Sequence, residues 1–311
     1  MVLSFIINFK SNKKLALTSR RNFILQTSIL SVGLMACPTS ILSKREVGIQ
    51  LWTLRDLLKG GKVPEVIKNI AVAGYKQLEI FGLTDGKLFG LSVAEFGKIA
   101  KDNGLSIPSG HYNTIEDFLF KNGNGDDVKK TCDVVKQLGG KYLTIPWFSE
   151  EKRTSIDQYR LLADRINKAG EICKASNVQL AYHNHDFEFK SFNGETGYDI
   201  ILKNTDAALV KLEMDIYWVV FVNQDPIELL NNNPGRFHLL HIKDMSKTNR
   251  AENTEVGNGQ IDFKSIVAAV SKADVKHFFV EQENNYIPDI YGSIKTSSNN
   301  VQQYLAGKSA K

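Results

Sequence analysis

Cysteine is scarce in this chain, with three in 311 residues. No spacing among them suggests a disulfide framework or a zinc-finger site. Cys132 and Cys173 fall in expected helices and read as buried thiols. Lys and Arg exceed the acids enough to leave a formal charge of +5. They are dispersed among acidic residues, with no basic stripe interleaved by aromatics, so nucleic-acid binding is not supported. The apolar run Ile24–Ala36 is too short, and too rich in Thr, Ser, Gln and Gly, to span a bilayer. A glycine-rich phosphate turn is also missing after the first expected strand, where Trp52-Thr53-Leu54-Arg55-Asp56 follows instead. That absence argues against an open, doubly wound nucleotide-binding sheet.

What is present begins with an export pattern. Thr18-Ser19-Arg20-Arg21-Asn22-Phe23-Ile24-Leu25 matches a twin-arginine signal, and the Ile24–Ala36 run serves as its apolar region. Leu34-Met35-Ala36-Cys37 resembles a lipobox, in which Cys37 would carry the lipid; ordinary cleavage near Ala36 or Ser43 is the competing reading. Residues 1–43 are therefore expected to be a signal segment. The mature protein would be periplasmic or a membrane-anchored lipoprotein, touching the membrane only through Cys37.

From Val47 onward, short apolar strands alternate with amphipathic helices. Strands are expected at Val47–Trp52, Gln77–Phe81, Leu105–Ser109, Lys141–Pro146, from Gln179, at Val210–Asp215, Phe237–Asp244 and His277–Gln282. Helices are expected at Pro64–Ala73, from Ser92 to before Gly104, and at Asp126–Leu138, Ser155–Ala175, Tyr198–Asn204, Asp225–Asn231, Phe263–Ala273 and Ile290–Leu305. Pro64 suits a first helical turn, and Ser92 with Glu95 forms a capping box. Eight such units in a remainder near the ~250 residues typical of the fold predict a single α/β domain, a (β/α)8 TIM barrel over residues 44–311.

The chemistry collects at strand ends. Gln179–Phe189 starts apolar and ends in Tyr182-His183-Asn184-His185-Asp186. His183, Asp215, His241 and Glu281 end successive strands, so one rim would bring them together as a metal site. Asp215 and Glu281 each close an apolar run, where a bare acid is costly unless paired or ligated. His241 sits among Leu239, Leu240 and Ile242, where a satisfied core histidine would be the simpler reading if it stood alone. His185 or Glu188 could replace His183. Mixed imidazole and carboxylate ligands suit Mn²⁺, Co²⁺, Fe²⁺ or Zn²⁺. Such an ion could polarise a sugar carbonyl. Glu79 interrupts the apolar second strand and points inward, as a pocket acid or as a structural acid paired with Lys or Arg in the barrel; His111 follows the third strand, as a proton shuttle or a rim histidine in solvent. Lys243 shares the side of His241 and could neutralise a developing oxyanion, or be a surface lysine paired with Asp244. Trp52, Trp147 and Trp218 are all three tryptophans of the chain, and all fall at strand ends, which suits sugar faces.

Several of these pieces, taken together, resemble one family: Gly48–Asp56, Leu78-Glu79, Tyr182–His185, Met214–Trp218, His241–Asp244, Val256–Phe263 and Val280–Gln282. From Val47 to the end, the chain is similar to the xylose isomerase-like TIM-barrel superfamily, in the sugar phosphate isomerase/epimerase branch that includes inosose dehydratase. The resemblance implies a divalent metal, Mn²⁺ foremost, with Co²⁺, Fe²⁺, Zn²⁺ or Mg²⁺ as others. Glu, Asp, His and Glu on the last four strands would hold it. Here the first Glu is replaced by His183, and Trp218 stands where many epimerases carry His. Of the two carboxylates that serve such epimerases as acid and base, only Glu281 is kept, so His183 or His111 would supply the second group. The resulting expectation is an isomerase or epimerase that removes a proton next to a carbonyl through a metal-held enediolate. Its substrate would be an unphosphorylated sugar or keto-sugar, touched by Trp52, Glu79, Trp147, His185 and Trp218. The alternatives are a lyase or dehydratase acting on a 3-keto-glycoside or inosose, and a non-catalytic carbohydrate-binding lipoprotein.

Overall fold

A computed structural model describes residues 45–121, 123–270 and 273–307. The segment expected to be an export signal, residues 1–43 with Cys37, lies outside the described residues. Eight parallel strands close into a barrel: β1 Val47–Gln50, β2 Gln77–Ile80, β3 Ser106–His111, β4 Tyr142–Ile145, β5 Gln179–His183, β6 Val210–Asp215, β7 Phe237–Ile242 and β8 His277–Val280. Each pairs with its sequence neighbours, and β8 closes onto β1. The strands are short and buried on both faces, as parallel strands covered by helices must be.

The principal helices are α1 Val63–Val72, α2 Val93–Asp102, α3 Asp126–Gln137, α4 Ile156–Ala175, α5 Gly197–Asn204, α6 Pro226–Asn232, α7 Phe263–Val270 and α8 Ile290–Leu305. Their starts follow local chemistry. Ser92 and Glu95 form the expected capping box on α2, Ser155 and Gln158 form a second on α4, and Pro64 occupies the first turn of α1. Cys132 on α3 and Cys173 on α4 are buried free thiols, with their sulfurs 3.7 Å apart.

Three features differ from the sequence expectation. β1, β5 and β7 stop before Trp52, His185 and Lys243, which sit in the connections beyond the strands. The loop after β2 folds into a small antiparallel sheet through Leu83–Thr84, Lys87–Leu88 and Leu91–Ser92. Asp215 ends β6 and also caps a short helix, Ile216–Phe221, accepting from the Trp218 amide at 3.3 Å. Pairing between such brief segments leaves little periodic signal.

The barrel interior is layered. Tyr142, Ala181, Leu239 and Phe279 form an apolar plug from alternating inward positions of four strands. Two residues further along these strands the lining turns polar, with Thr144, His183, His241 and Glu281, joined by Gln50, Glu79, Ser109 and Glu213. The change from apolar to polar lining along the strands places the reactive groups near the C-terminal ends.

One loop brings the rim into position. Asp244 accepts from the backbone amides of Met245, Gly257, Gly259 and Ile261 at 2.8–3.2 Å. A Cβ on Gly259 would lie 2.2 Å from Asp244 Oδ1 and 2.3 Å from the Met245 carbonyl. Gly259→Ala is therefore expected to lower stability by roughly 2 kcal/mol or more, a Tm drop of several degrees readable by calorimetry. An unchanged Tm would show that the loop shifts freely.

Candidate functional site

Strand register decides which side chains meet. Glu213 pairs with His183 across β5 and β6, and Asp215 pairs with His241 across β6 and β7. Period two puts Glu213 and Asp215 on the same inward face of β6. Glu79 lies opposite Gln50 on β1 and Ser109 on β3.

These groups form two tiers. In the lower one, Gln50 donates to Glu79 Oε2 at 2.9 Å and Ser109 donates to Glu79 Oε1 at 2.5 Å. His241 Nε2 lies 2.6 Å from Glu79 Oε2, and His111 Nε2 lies 2.7 Å from Glu213 Oε2. His183 Nδ1 is 3.2 Å from the same Glu213 oxygen. In the upper tier, His241 Nδ1 is 3.2 Å from Glu281 Oε2 and 4.0 Å from Asp215 Oδ2. Lys243 Nζ is 3.3 Å from Glu281 Oε2 and 3.8 Å from Asp215 Oδ2, and it also contacts Glu283.

Charge in this dry setting is set by burial against neighbours. Burial disfavours an imidazolium at His241, but Glu213, Glu281 and Glu79 outweigh it and hold the ring well above its ordinary pKa. Burial also opposes ionisation of Glu281, and Lys243 and His241 overcome it, so this carboxylate stays ionised. Burial raises Asp215 to about 6, opposed by Lys243, and raises Glu213 to about 7 with help from Glu79. His183 is pushed well below the ordinary value by burial and by the other imidazoles, which leaves it a neutral donor ligand.

Two groups of side chains bring potential metal-ligand atoms within 4.8 Å of one another: His111, His183, Glu213 and His241, and Asp215, His241 and Glu281. Buried Asp215 Oδ2 and His183 Nδ1 have no hydrogen-bond partner, as expected of atoms built to hold a cation. The donors therefore fit a divalent transition-metal ion. Of the four ligands expected from sequence, Asp215, His241 and Glu281 converge in the upper tier. His183 falls with the lower group, its Nε2 standing 3.9 Å from Asp215 Oδ2.

Above the tiers opens a cavity of about 580 Å³. His111, His183, His185 and Glu281 form its floor and walls, and Trp52, Trp147 and Trp218 all line it. Trp52 and Trp147 are exposed at the mouth, while Trp218 packs against Tyr217 and His185 with the Lys243 ammonium 5.1 Å from its ring centre. Glu79 is the exception among the expected substrate contacts. It is fully buried, is absent from the cavity wall, and is tied to Gln50, Ser109 and His241 beneath the floor. Lys243 is buried between carboxylates and does not pair with Asp244, whose oxygens hold the following loop.

Sequence reasoning missed Glu213 and Glu283. Glu213 carried a signal, since it stands two residues before Asp215 and shares its face. Glu283 lies in an irregular segment, and only the fold carries it to Lys243.

Glu188, an alternative ligand in the sequence reading, instead anchors the loop after β5. It accepts from the Tyr182 hydroxyl at 2.7 Å and from the His185 amide at 2.8 Å. Burial raises its pKa from the ordinary 4.5 to about 7.

A closed α/β barrel with a buried His, Asp and Glu cluster under an aromatic-walled cavity at the C-terminal strand ends is a TIM barrel with its site where such barrels carry active sites. The chain belongs to the xylose isomerase-like TIM barrel family, whose model matches residues 67–300. An inosose dehydratase of Geobacillus thermodenitrificans is 22% identical over 261 residues, covering 74% of this chain and 85% of the relative. A crystal structure of a sugar phosphate isomerase/epimerase from Parabacteroides distasonis superposes with a TM-score of 0.73 at 27% identity, covering 85% of this chain and 96% of the other. The IOLI protein, solved with a bound zinc atom, shares the fold at 14% identity and a TM-score of 0.65, covering 86% of this chain and 100% of the other.

The raised Glu188 pKa has a pH signature. The folded state holds a proton that the unfolded chain releases above 4.5, so this group's stabilisation is present below 4.5 and lost as pH rises to about 7. Glu188→Gln is expected to flatten the fall in unfolding free energy between pH 4.5 and 7, on the order of 3 kcal/mol, when urea melts of variant and wild type are compared. Parallel profiles would refute the assignment.

Proposed function

We propose that this chain is a metal-dependent enzyme that removes a proton next to the carbonyl of an unphosphorylated sugar or keto-sugar, with isomerisation or epimerisation as the outcome. The observation that carries the reading is the convergence of Asp215, His241 and Glu281 at the base of a cavity walled by three tryptophans. Asp215, His241 and Glu281 would hold a divalent ion such as Mn²⁺. When bound, that ion supplies Lewis-acid polarisation of a carbonyl oxygen.

The protein groups divide the remaining work. Glu281, kept ionised by Lys243 and His241, takes the proton through its cavity face. His111 lines the same cavity from β3, three strand positions around the barrel from β8, and gives a proton of its own to the carbon from another side. Lys243 holds a fixed positive charge next to Glu281 and Asp215 as negative charge builds on the substrate oxygens. The tryptophan faces orient the sugar ring and exclude water. Among the described residues, no Lys or Arg lines the cavity and two carboxylates do, which disfavours a phosphate group. Export of the protein, as read from residues 18–36, points to the same substrate class.

A lyase or dehydratase outcome is the second reading, favoured by the inosose dehydratase relatives. Both outcomes begin with the same proton abstraction and differ in whether a leaving group departs from the β-carbon.

Incubating metal-loaded protein in D₂O with a panel of ketoses, inososes and 3-keto-glycosides tests both. Deuterium entering the carbon beside the carbonyl, with an epimeric product, is the expected result; an unsaturated product would mark elimination instead. Glu281→Gln is expected to slow exchange by roughly 10²–10⁴-fold. Absence of exchange with every class would overturn the proposal. Trp147→Ala is expected to raise KM by roughly tenfold or more with a smaller change in kcat, reflecting lost ground-state stacking.

A further inference from the structure

The lower tier has the composition of a second metal centre. We propose that His111, His183, Glu213 and His241 form an inner site for a divalent transition-metal ion of the Zn²⁺ or Co²⁺ type. This site lies beneath the Asp215–His241–Glu281 group and shares only His241 with it.

Spacing is the first argument. Around Glu213 Oε2, His111 Nε2, His183 Nδ1 and His241 Nε2 stand at 2.7, 3.2 and 3.4 Å. A tetrahedral ion with bonds near 2.1 Å places its ligand atoms roughly 3.4 Å apart, so small outward adjustments would seat one. Three imidazoles and one carboxylate are a borderline-soft donor set that favours Zn²⁺ or Co²⁺ over Mg²⁺.

Unmet bonding is the second, independent argument. His183 Nδ1 and Glu213 Oε1 are both buried and both lack a hydrogen-bond partner. Both residues are more than nine-tenths buried. Such atoms carry a desolvation cost in an otherwise bonded interior. A cation bound among these four residues would satisfy them.

Charge is the third. Glu79, Glu213, Asp215 and Glu281 are all buried, and among the described residues they are met by the Lys243 ammonium and by the His111 and His241 rings, whose protons a cation can replace. His241 presents Nε2 to the lower tier and Nδ1 to the upper one, each facing carboxylates. It is placed to ligate an ion on either side. An ion entering the inner site replaces the His111 Nε2–Glu213 and His241 Nε2–Glu79 contacts and releases to solvent the protons held there; His111 then keeps only its Nδ1 for proton transfer, and His241, with an ion on each nitrogen, becomes a bridging imidazolate. His111 reaches the cavity, which provides the entry path.

The inner site stands or falls separately from the proposed catalytic ion. Metal-stripped full-length protein would be dialysed against excess Co²⁺ and the bound cobalt counted by mass spectrometry, with visible absorption reporting coordination. Wild type is expected to hold two ions per chain, and Glu213→Gln and Asp215→Asn one each. His111→Asn serves as a second inner-site variant should Glu213→Gln not fold, with circular dichroism checking each. If Glu213→Gln and His111→Asn both keep the wild-type count, the inner site is overturned and the outer one remains. If wild type holds one ion, lost in Glu213→Gln but kept in Asp215→Asn, the inner site stands and the outer one fails. Wild type that binds no cobalt overturns both.

Discussion

Four carboxylates held inside a barrel, against three imidazoles and one ammonium, constrain everything else in this molecule. Glu79, Glu213, Asp215 and Glu281 have almost no access to water. Each would be costly to bury alone, and each is tolerated because a neighbouring strand supplies a partner at the right height. Such partnerships depend on register. A slip of β6 by one residue would turn Glu213 and Asp215 outward into the helical layer, leaving His183 and His241 without their carboxylates. The buried charges therefore act as a specification of strand alignment as well as a site.

The surrounding parts follow from that cluster. The apolar plug of Tyr142, Ala181, Leu239 and Phe279 closes the barrel below and keeps water from the lower tier. Gln50, Ser109 and His241 all hold Glu79, so the floor is fixed before any ligand arrives. Above, Asp244 gathers the loop after β7 and Glu188 gathers the loop after β5. Both acids work through backbone amides, which lets irregular loops hold a definite shape over a rigid base. The tryptophans project around the cavity from other connections, those after β1, β4 and β6.

His183 occupies the place where the family resemblance leads one to expect a carboxylate. In the fold, a carboxylate is nonetheless close by, because Glu213 on the adjacent strand reaches within 3.2 Å of His183 Nδ1. The local charge is thus carried from β6 where β5 would be expected to supply it, and the imidazole points between the two tiers. This arrangement makes the lower tier richer in nitrogen and the upper tier richer in oxygen, a division that matters for which ion each would prefer.

Much of the fold was legible from alternation alone. Eight apolar strands, each followed by a helix, admit few closed solutions, and capping residues such as Ser92 and Pro64 marked helix starts. The strand-end acids and histidines were legible too, because a charge that closes an apolar run needs a reason to be there. What the linear pattern determined was the barrel, the rim and most of the reactive residues. What only the tertiary structure decided was who faces whom: that Glu79 lies beneath the floor, that Glu213 joins His111 and His183, that Lys243 pairs with Glu281 and Glu283, and that His241 stands between two tiers. Periodicity reports which side of a strand a residue occupies, whereas these contacts depend on the stagger between strands and on loops that carry no period.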